Sequence, residues 1–141
     1  MSPDLTKGRC LVAGNARGEA LVSRKAFTFA HGVNPSTGIV TDVRSDVRGE
    51  NVKGKILFYP FGKGSTTASS WFLETARLGN NPAAIVTEGV DLSAVIGSVL
   101  AKIMYGKEIP VVAGVRSAAS SRKSGDPVYL DATKGEVRVE G

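Results

Sequence analysis

Cysteine is almost absent from this chain of 141 residues, with Cys10 standing alone. A single thiol forms no intramolecular disulfide, and a cysteine-ligated zinc or iron–sulfur site needs three or four. No metal ligands are assigned, and no cofactor is expected within this chain. Histidine is equally scarce, since His31 is the only one. Ser-His-Asp chemistry would need that imidazole beside a nucleophile, an orienting carboxylate and an oxyanion hole, and the nucleophile-elbow pattern Gly-x-Ser-x-Gly is missing. Acyl transfer is therefore disfavoured. His31 sits in turn-rich sequence without companion motifs, where bracing a loop is its simplest role.

Long hydrophobic runs are missing too. No stretch approaches the roughly 20 apolar residues of a membrane span, and Met1 to Gly8 lacks an apolar core of signal-peptide length. These readings predict a cytoplasmic protein with no membrane association. Aromatic residues are only 6% of the chain, and its 18 lysines and arginines are scattered. The densest pairs, Arg24-Lys25 and Arg122-Lys123, are not interleaved with the aromatic platforms a single-strand binder uses. No nucleic-acid partner is expected, despite the net charge of +5. A basic surface also suits a small anionic substrate or an acidic partner subunit.

Glycine, by contrast, is plentiful at 17 residues, several in short polar stretches between apolar runs. That distribution favours strands joined by tight turns, and the length suits one domain over residues 1–141. Lys7 to Ala13 and Glu19 to Ser23 are predicted as strands joined by the loop Gly14-Asn15-Ala16-Arg17-Gly18. His31 to Gly38 is turn chemistry before a strand-like Ile39 to Thr41, and Asp42 to Lys53 reads as an exposed connection. Lys55 to Pro60 is a continuous apolar run, as in a strand buried on both faces. After a glycine loop, Ala68, Trp71, Phe72, Thr75 and Ala76 recur at helical spacing, with Trp71 and Phe72 assigned to the core or an interface. A strand over Ala83 to Thr87 follows. A second helix begins near Asp91, with Leu92, Val95, Ile96, Val99, Leu100, Ile103 and Met104 on one face, and ends at Gly106. Ile109 to Ala113 supplies a third buried strand, so the series is β-α-β-α-β with a parallel sheet segment. Asp126 to Gly141 reads as a closing hairpin.

Chemistry concentrates between the buried strand and the first helix. Gly62 and Gly64 let backbone approach a ligand without a Cβ in the way, Lys63 adds a mobile cation, and Ser65, Thr66 and Thr67 offer hydroxyls at a helix N-terminus. Such a segment binds phosphate or carboxylate, although it lacks the spacing of a nucleotide P-loop. Ser65 or Thr66 also has a plainer reading as the helix N-cap, worth about 1 kcal/mol. Arg17 is a second anion-binding candidate by its forked guanidinium, or is simply solvated.

Four motifs in order are more specific than any one of them. Gly8-Arg9-x-Leu11-Val12-x-Gly14-x-Ala16-x-Gly18-Glu19-Ala20-Leu21-Val22, then Gly32-Val33-Asn34-Pro35-x-Thr37-Gly38, then Gly62-Lys63-Gly64-Ser65, then Ala83-Ala84-Ile85-Val86 together resemble the small-subunit family of aconitase X. The resemblance implies an α/β fold, the swivelling β/β/α domain found as the mobile domain of aconitase. It implies a hydro-lyase formed with a large subunit that carries a 4Fe–4S cluster, with Ser65 at the family's proton-acceptor position. Archaeal-type members dehydrate (R)-5-phosphomevalonate to trans-anhydromevalonate 5-phosphate in a modified mevalonate pathway, and others dehydrate cis-3-hydroxy-L-proline. The resemblance would have the partner meet an apolar surface beside the Ser65 loop, since such a site is closed against water. A different reading makes the chain a non-catalytic phosphate-binding swivelling module, whose kind carries a phosphorylated histidine on a comparable loop.

Overall fold

The computed structural model describes residues 4–63, 67–115 and 123–140. Along them run β1 (Asp4–Lys7), β2 (Arg9–Val12), β3 (Asn15–Val22), β4 (Ile56–Tyr59), α1 (Thr67–Arg77), β5 (Ala84–Thr87), α2 (Leu92–Tyr105), β6 (Val111–Ala113), β7 (Pro127–Asp131), a 3-10 turn (Ala132–Lys134) and β8 (Glu136–Val139). The strands follow the order β1-β8-β7-β3-β4-β5-β6-β2. β3, β4, β5 and β6 are parallel neighbours, the last three joined through α1 and α2 as βαβ connections require, and β2 closes their edge antiparallel to β6. β1, β8 and β7 form an antiparallel meander. β3 joins the two parts: Asn15 to Glu19 pair with β7, and Ala20 to Val22 pair with β4.

Alternation along β4 sorts its side chains into two cores. Ile56 and Phe58 point with Ala20, Val22, Val86 and Val112 toward Val128, Leu130 and Val137 of the meander. Leu57 and Tyr59 point the other way with Leu21, Ile85 and Val111, against Phe72 and Ala76 of α1 and Ala94 and Ala101 of α2. The layers are therefore sheet, sheet, helices, the expected β/β/α swivelling arrangement.

Three local expectations are corrected. Arg17 lies inside a strand, because β3 already begins at Asn15; only Gly14, at φ 137°, makes the turn. The stretch from Asp42 to Lys53 is not wholly exposed. Val47 and Val52 are buried in the helix-side core, and Val40 N donates to the Glu50 carbonyl at 2.8 Å to fold the segment back on itself. Two valines five residues apart carry no periodicity, so sequence spacing could not register them.

The third correction concerns α2. Its termini are where Asp91 and Gly106 put them: the Asp91 carboxylate accepts from Ser93 N, and Gly106 caps the end at φ 66°. Its buried face, however, is Ala94, Gly97, Ser98 and Ala101. A Cβ on Gly97 would stand 3.1 Å from the Phe72 ring, so small residues set the close crossing with α1. Of the large residues expected on one face, Leu92, Ile96, Val99, Ile103 and Met104 are exposed.

Candidate functional site

β4 ends at Tyr59, and the chain proceeds through Pro60, Phe61, Gly62 and Lys63 toward α1. Gly64, Ser65 and Thr66, the centre of the sequence-based expectation, lie outside the described residues. What holds their approach is well defined. Phe27 N donates to the Phe61 carbonyl and Lys63 N donates to the Phe27 carbonyl, both at 2.9 Å, so the segment is pinned as a short parallel bridge before it reaches position 64. Phe27 is itself stacked on Tyr59, with ring centroids 5.2 Å apart.

Beneath this bridge the buried Tyr59 meets the half-buried Asp91. The Tyr59 hydroxyl donates to Asp91 Oδ2 at 2.7 Å, and Asp91 Oδ1 accepts from Ser93 N at 3.1 Å. Burial first, then the Asp91 charge and their hydrogen bond, push the Tyr59 phenol well above its usual pKa, so it stays a neutral donor. Gly62 rests on this carboxylate. A Cβ there would fall on the Asp91 carboxyl group, so a side chain at position 62 would have to displace it. Gly62, Lys63, Val90, Asp91, Leu92 and Ser93 line a cleft of about 200 Å³.

Lys63 is anchored from a second direction. Its Nζ lies 2.8 Å from Asp42 Oδ2, and Asp42 Oδ1 accepts from Arg44 N at 3.0 Å. The Lys63 hydrogen bond, followed by the Arg44 amide, holds the Asp42 carboxyl below the usual carboxylate range. The fixed carboxylate holds the ammonium in place at the start of the loop. α1 then begins at Thr67 with no acidic residue in its first turn, leaving its positive dipole end uncompensated on that account.

The structure does not bring Arg17 to this place. β3 and β4 are parallel with Ala20 opposite Ile56, so Arg17 lies beyond the N-terminal end of β4 while Gly62 and Lys63 follow its C-terminal end. The guanidinium sits 4.6 Å over the Tyr129 ring and pairs with Glu140 at 3.3 Å, with the side chain 68% exposed. His31 adopts φ 57°, the one non-glycine residue with positive φ among those described, and its ring packs 4.4 Å from that of Trp71. It borders a groove with Asn34, Pro35 and Thr41 on the outer side of α1.

Sequence reasoning passed over Tyr59, Asp91 and Asp42 as site residues. A buried tyrosine demands a partner, and Asp-x-Ser at a helix start signals a cap, so the first two had local signals. Asp42 had none, being far from Lys63 in sequence. Among the described residues, no group of three or more His, Cys, Asp or Glu side chains could hold a metal ion. Nor is any helix among them long and apolar enough to cross a membrane.

Comparison with known proteins fits this architecture. The family described as the aconitase X swivel domain matches residues 5–139. The phosphomevalonate dehydratase small subunit of Pyrococcus furiosus is 43% identical over 94% of this chain and 93% of its own length. That of Thermococcus sibiricus is 44% identical over 95% and 97%. The crystal structure of Thermococcus kodakaraensis aconitase X in its holo-form superposes with a TM-score of 0.89 at 40% identity, covering 98% of this chain and 99% of that one. A match of family, fold and length together has one consequence: the chain belongs to the aconitase X swivel-domain family.

Proposed function

We propose that this chain is the small subunit of a cytoplasmic phosphomevalonate dehydratase, the hydro-lyase that converts (R)-5-phosphomevalonate to trans-anhydromevalonate 5-phosphate and water. The observation that carries the reading is the 43% and 44% identity to small subunits of that enzyme across nearly the whole of both chains. The reaction breaks a C–H bond next to the carboxylate and the C–O bond on the adjacent carbon. The C–H electron pair becomes the new double bond, the proton goes to a base, and the hydroxyl leaves as water after taking up a proton.

On this reading Ser65 is the base. A serine hydroxyl accepts a proton from carbon only if its alkoxide is stabilised, and the N-terminal amides of α1 and the Lys63 ammonium are the sources of positive potential that adjoin Ser65 along the chain. Asp42 holds Lys63 in place, while Gly62 and Gly64 let the backbone close on an anionic group of the substrate and Thr66 offers it a hydroxyl. A four-thiolate cluster does not fit a chain whose only cysteine is Cys10. A larger subunit carrying a 4Fe–4S cluster completes the enzyme, and the cluster there supplies the Lewis acidity that the leaving hydroxyl needs.

The test is reconstitution. The chain and its cognate larger subunit, combined anaerobically, are expected to form a complex that dehydrates (R)-5-phosphomevalonate and leaves cis-3-hydroxy-L-proline untouched. Turnover of hydroxyproline instead would overturn the substrate assignment. A complex that turns over neither, with phosphate appearing on His31 in the presence of a phosphoryl donor, would replace the enzyme by a shuttle module.

A further inference from the structure

α2 is apolar nearly all round. Its fourteen residues include one charge, Lys102, and its small residues are spent on the crossing with α1. A helix of that composition is ordinarily buried on every side. Here the outer side is bare. Leu92, Ile96, Val99 and Ile103, spaced four, three and four residues apart, form one stripe, with Leu92 67% and Ile103 74% exposed. Met104 extends it at one end and Val90 at the other. Together these six side chains expose on the order of 600 Å² of apolar surface, the upper limit of what monomers leave contiguous and close to the ~800 Å² that each partner contributes to a standard interface.

The stripe has a direction. Val90 and Leu92 line the same cleft as Gly62 and Lys63, so the apolar face starts at the candidate site and runs away from it along α2. We infer that this outer face of α2 is the seat of the larger subunit, which docks along Leu92, Ile96, Val99 and Ile103 and thereby covers the cleft at Gly62 and Lys63. The inference rests on the proposed function for the identity of its partner. It gives the apolar pattern of α2 a physical cause: the helix has two buried faces, a small-residue face within the domain and a large-residue face between subunits. It also couples assembly to chemistry, because docking on the stripe excludes water from the adjoining loop.

The experiment compares the natural chain, the double variant Ile96→Glu with Ile103→Glu, and Leu5→Glu, an equally simple apolar-to-acid change at an exposed position on β1. Affinity for the cognate larger subunit is read by titration calorimetry, and thermal melts of each chain alone report folding. The double variant should lose affinity by about a hundredfold or more, as expected when charge enters a desolvated interface, with its melt little changed. Leu5→Glu should bind within about threefold of the natural chain. The milder pair Leu92→Gln with Ile103→Gln repeats the test should the glutamates disturb the fold. Natural affinity in both double variants would overturn the docking surface while leaving the dehydratase reading intact. Failure of the natural chain to bind would remove both. A natural chain that self-associates through the stripe, with the double variant monomeric yet still bound to the larger subunit, would make the face a contact between copies and overturn the inference.

Discussion

The two helices pack side by side on one sheet and use their residues in opposite ways. α1 follows the usual rule: Ala68, Phe72, Thr75 and Ala76 face inward, while Glu74 and Arg77 pair on the outside at 2.7 Å. α2 inverts it, sending Ala94, Gly97, Ser98 and Ala101 inward and Leu92, Ile96, Val99, Ile103 and Met104 outward. The helix-side core is filled instead from elsewhere, by Phe27, Phe29, Val33, Val40, Val47 and Val52 of the long segment between β3 and β4. A helix whose packing inside the domain needs only small side chains leaves its large ones for other work. On the proposed reading α1 carries the chemistry at its N-terminus and α2 carries the assembly on its back.

The sharpest way to break this division is at the head of α1. Ser65→Ala in the reconstituted enzyme should lower turnover by a factor of about 10² to 10⁴, the usual loss for a missing general base. Stability should fall by only about 1 kcal/mol, the value of an N-cap. A variant that melts lower but keeps most of its turnover would make Ser65 a cap and move the base to the larger subunit. The next largest effect belongs to the head of α2. Asp91→Ala removes that helix's cap and strands the buried Tyr59 hydroxyl, two losses that together should cost about 2–4 kcal/mol. Urea unfolding of the isolated chain measures it, and a loss under 1 kcal/mol would show that the pair is not what holds Gly62 over α2.

Much of the architecture was legible because burial on both faces writes itself as an unbroken apolar run. β4 and β5 show it, and α1 is legible because the residues at helical spacing, Ala68, Phe72, Thr75 and Ala76, are the buried ones, with Trp71 packed partly buried beside them. The first half of β3, Asn15 to Gly18, was hidden by glycine and polar residues, since its partner β7 comes from the far end of the chain and local spacing holds no trace of it. α2 shows a different limit. Periodicity marks a stripe as apolar but says nothing of what covers it, and here the covering layer is not the sheet. At the candidate site, Gly62 and Lys63 stand together as their adjacency dictates, whereas Asp42 and Tyr59 reach them only through the fold. Arg17 was grouped with them on chemistry alone, and the parallel register of β3 and β4 separates them.

A smaller effect of opposite sign tests the packing between the helices. Ser98 is buried on the inner face of α2, and its hydroxyl has no hydrogen-bond partner among the described residues. Ser98→Ala removes that unpaired group and improves helix propensity, so it should stabilise the chain by about 1 kcal/mol. A destabilised variant, by thermal or urea unfolding, would mean that the hydroxyl is satisfied and that the small-residue face is chosen for more than size.

The smallest effect is expected at Asp42, and pH makes it visible. Because Lys63 and the Arg44 amide favour its ionised form, Asp42 has a lower pKa folded than unfolded. Its contribution to stability is therefore fully present above the unfolded value near 3.8 and is lost as pH falls through the lower folded value. The pair is partly open to water, with the Asp42 side chain 17% exposed, so it is worth about 1 kcal/mol or less. Asp42→Asn should thus be slightly less stable than the natural chain at pH 7 in low salt. The difference should shrink in high salt and close in strong acid, where both chains carry a neutral group at this position. If the variant is as stable as the natural chain at pH 7, yet the reconstituted enzyme shows a raised KM at unchanged kcat, Asp42 serves to aim Lys63 at substrate and adds nothing to the fold. A deficit that persists unchanged into strong acid would mean that position 42 acts through packing and that the ion pair with Lys63 contributes nothing.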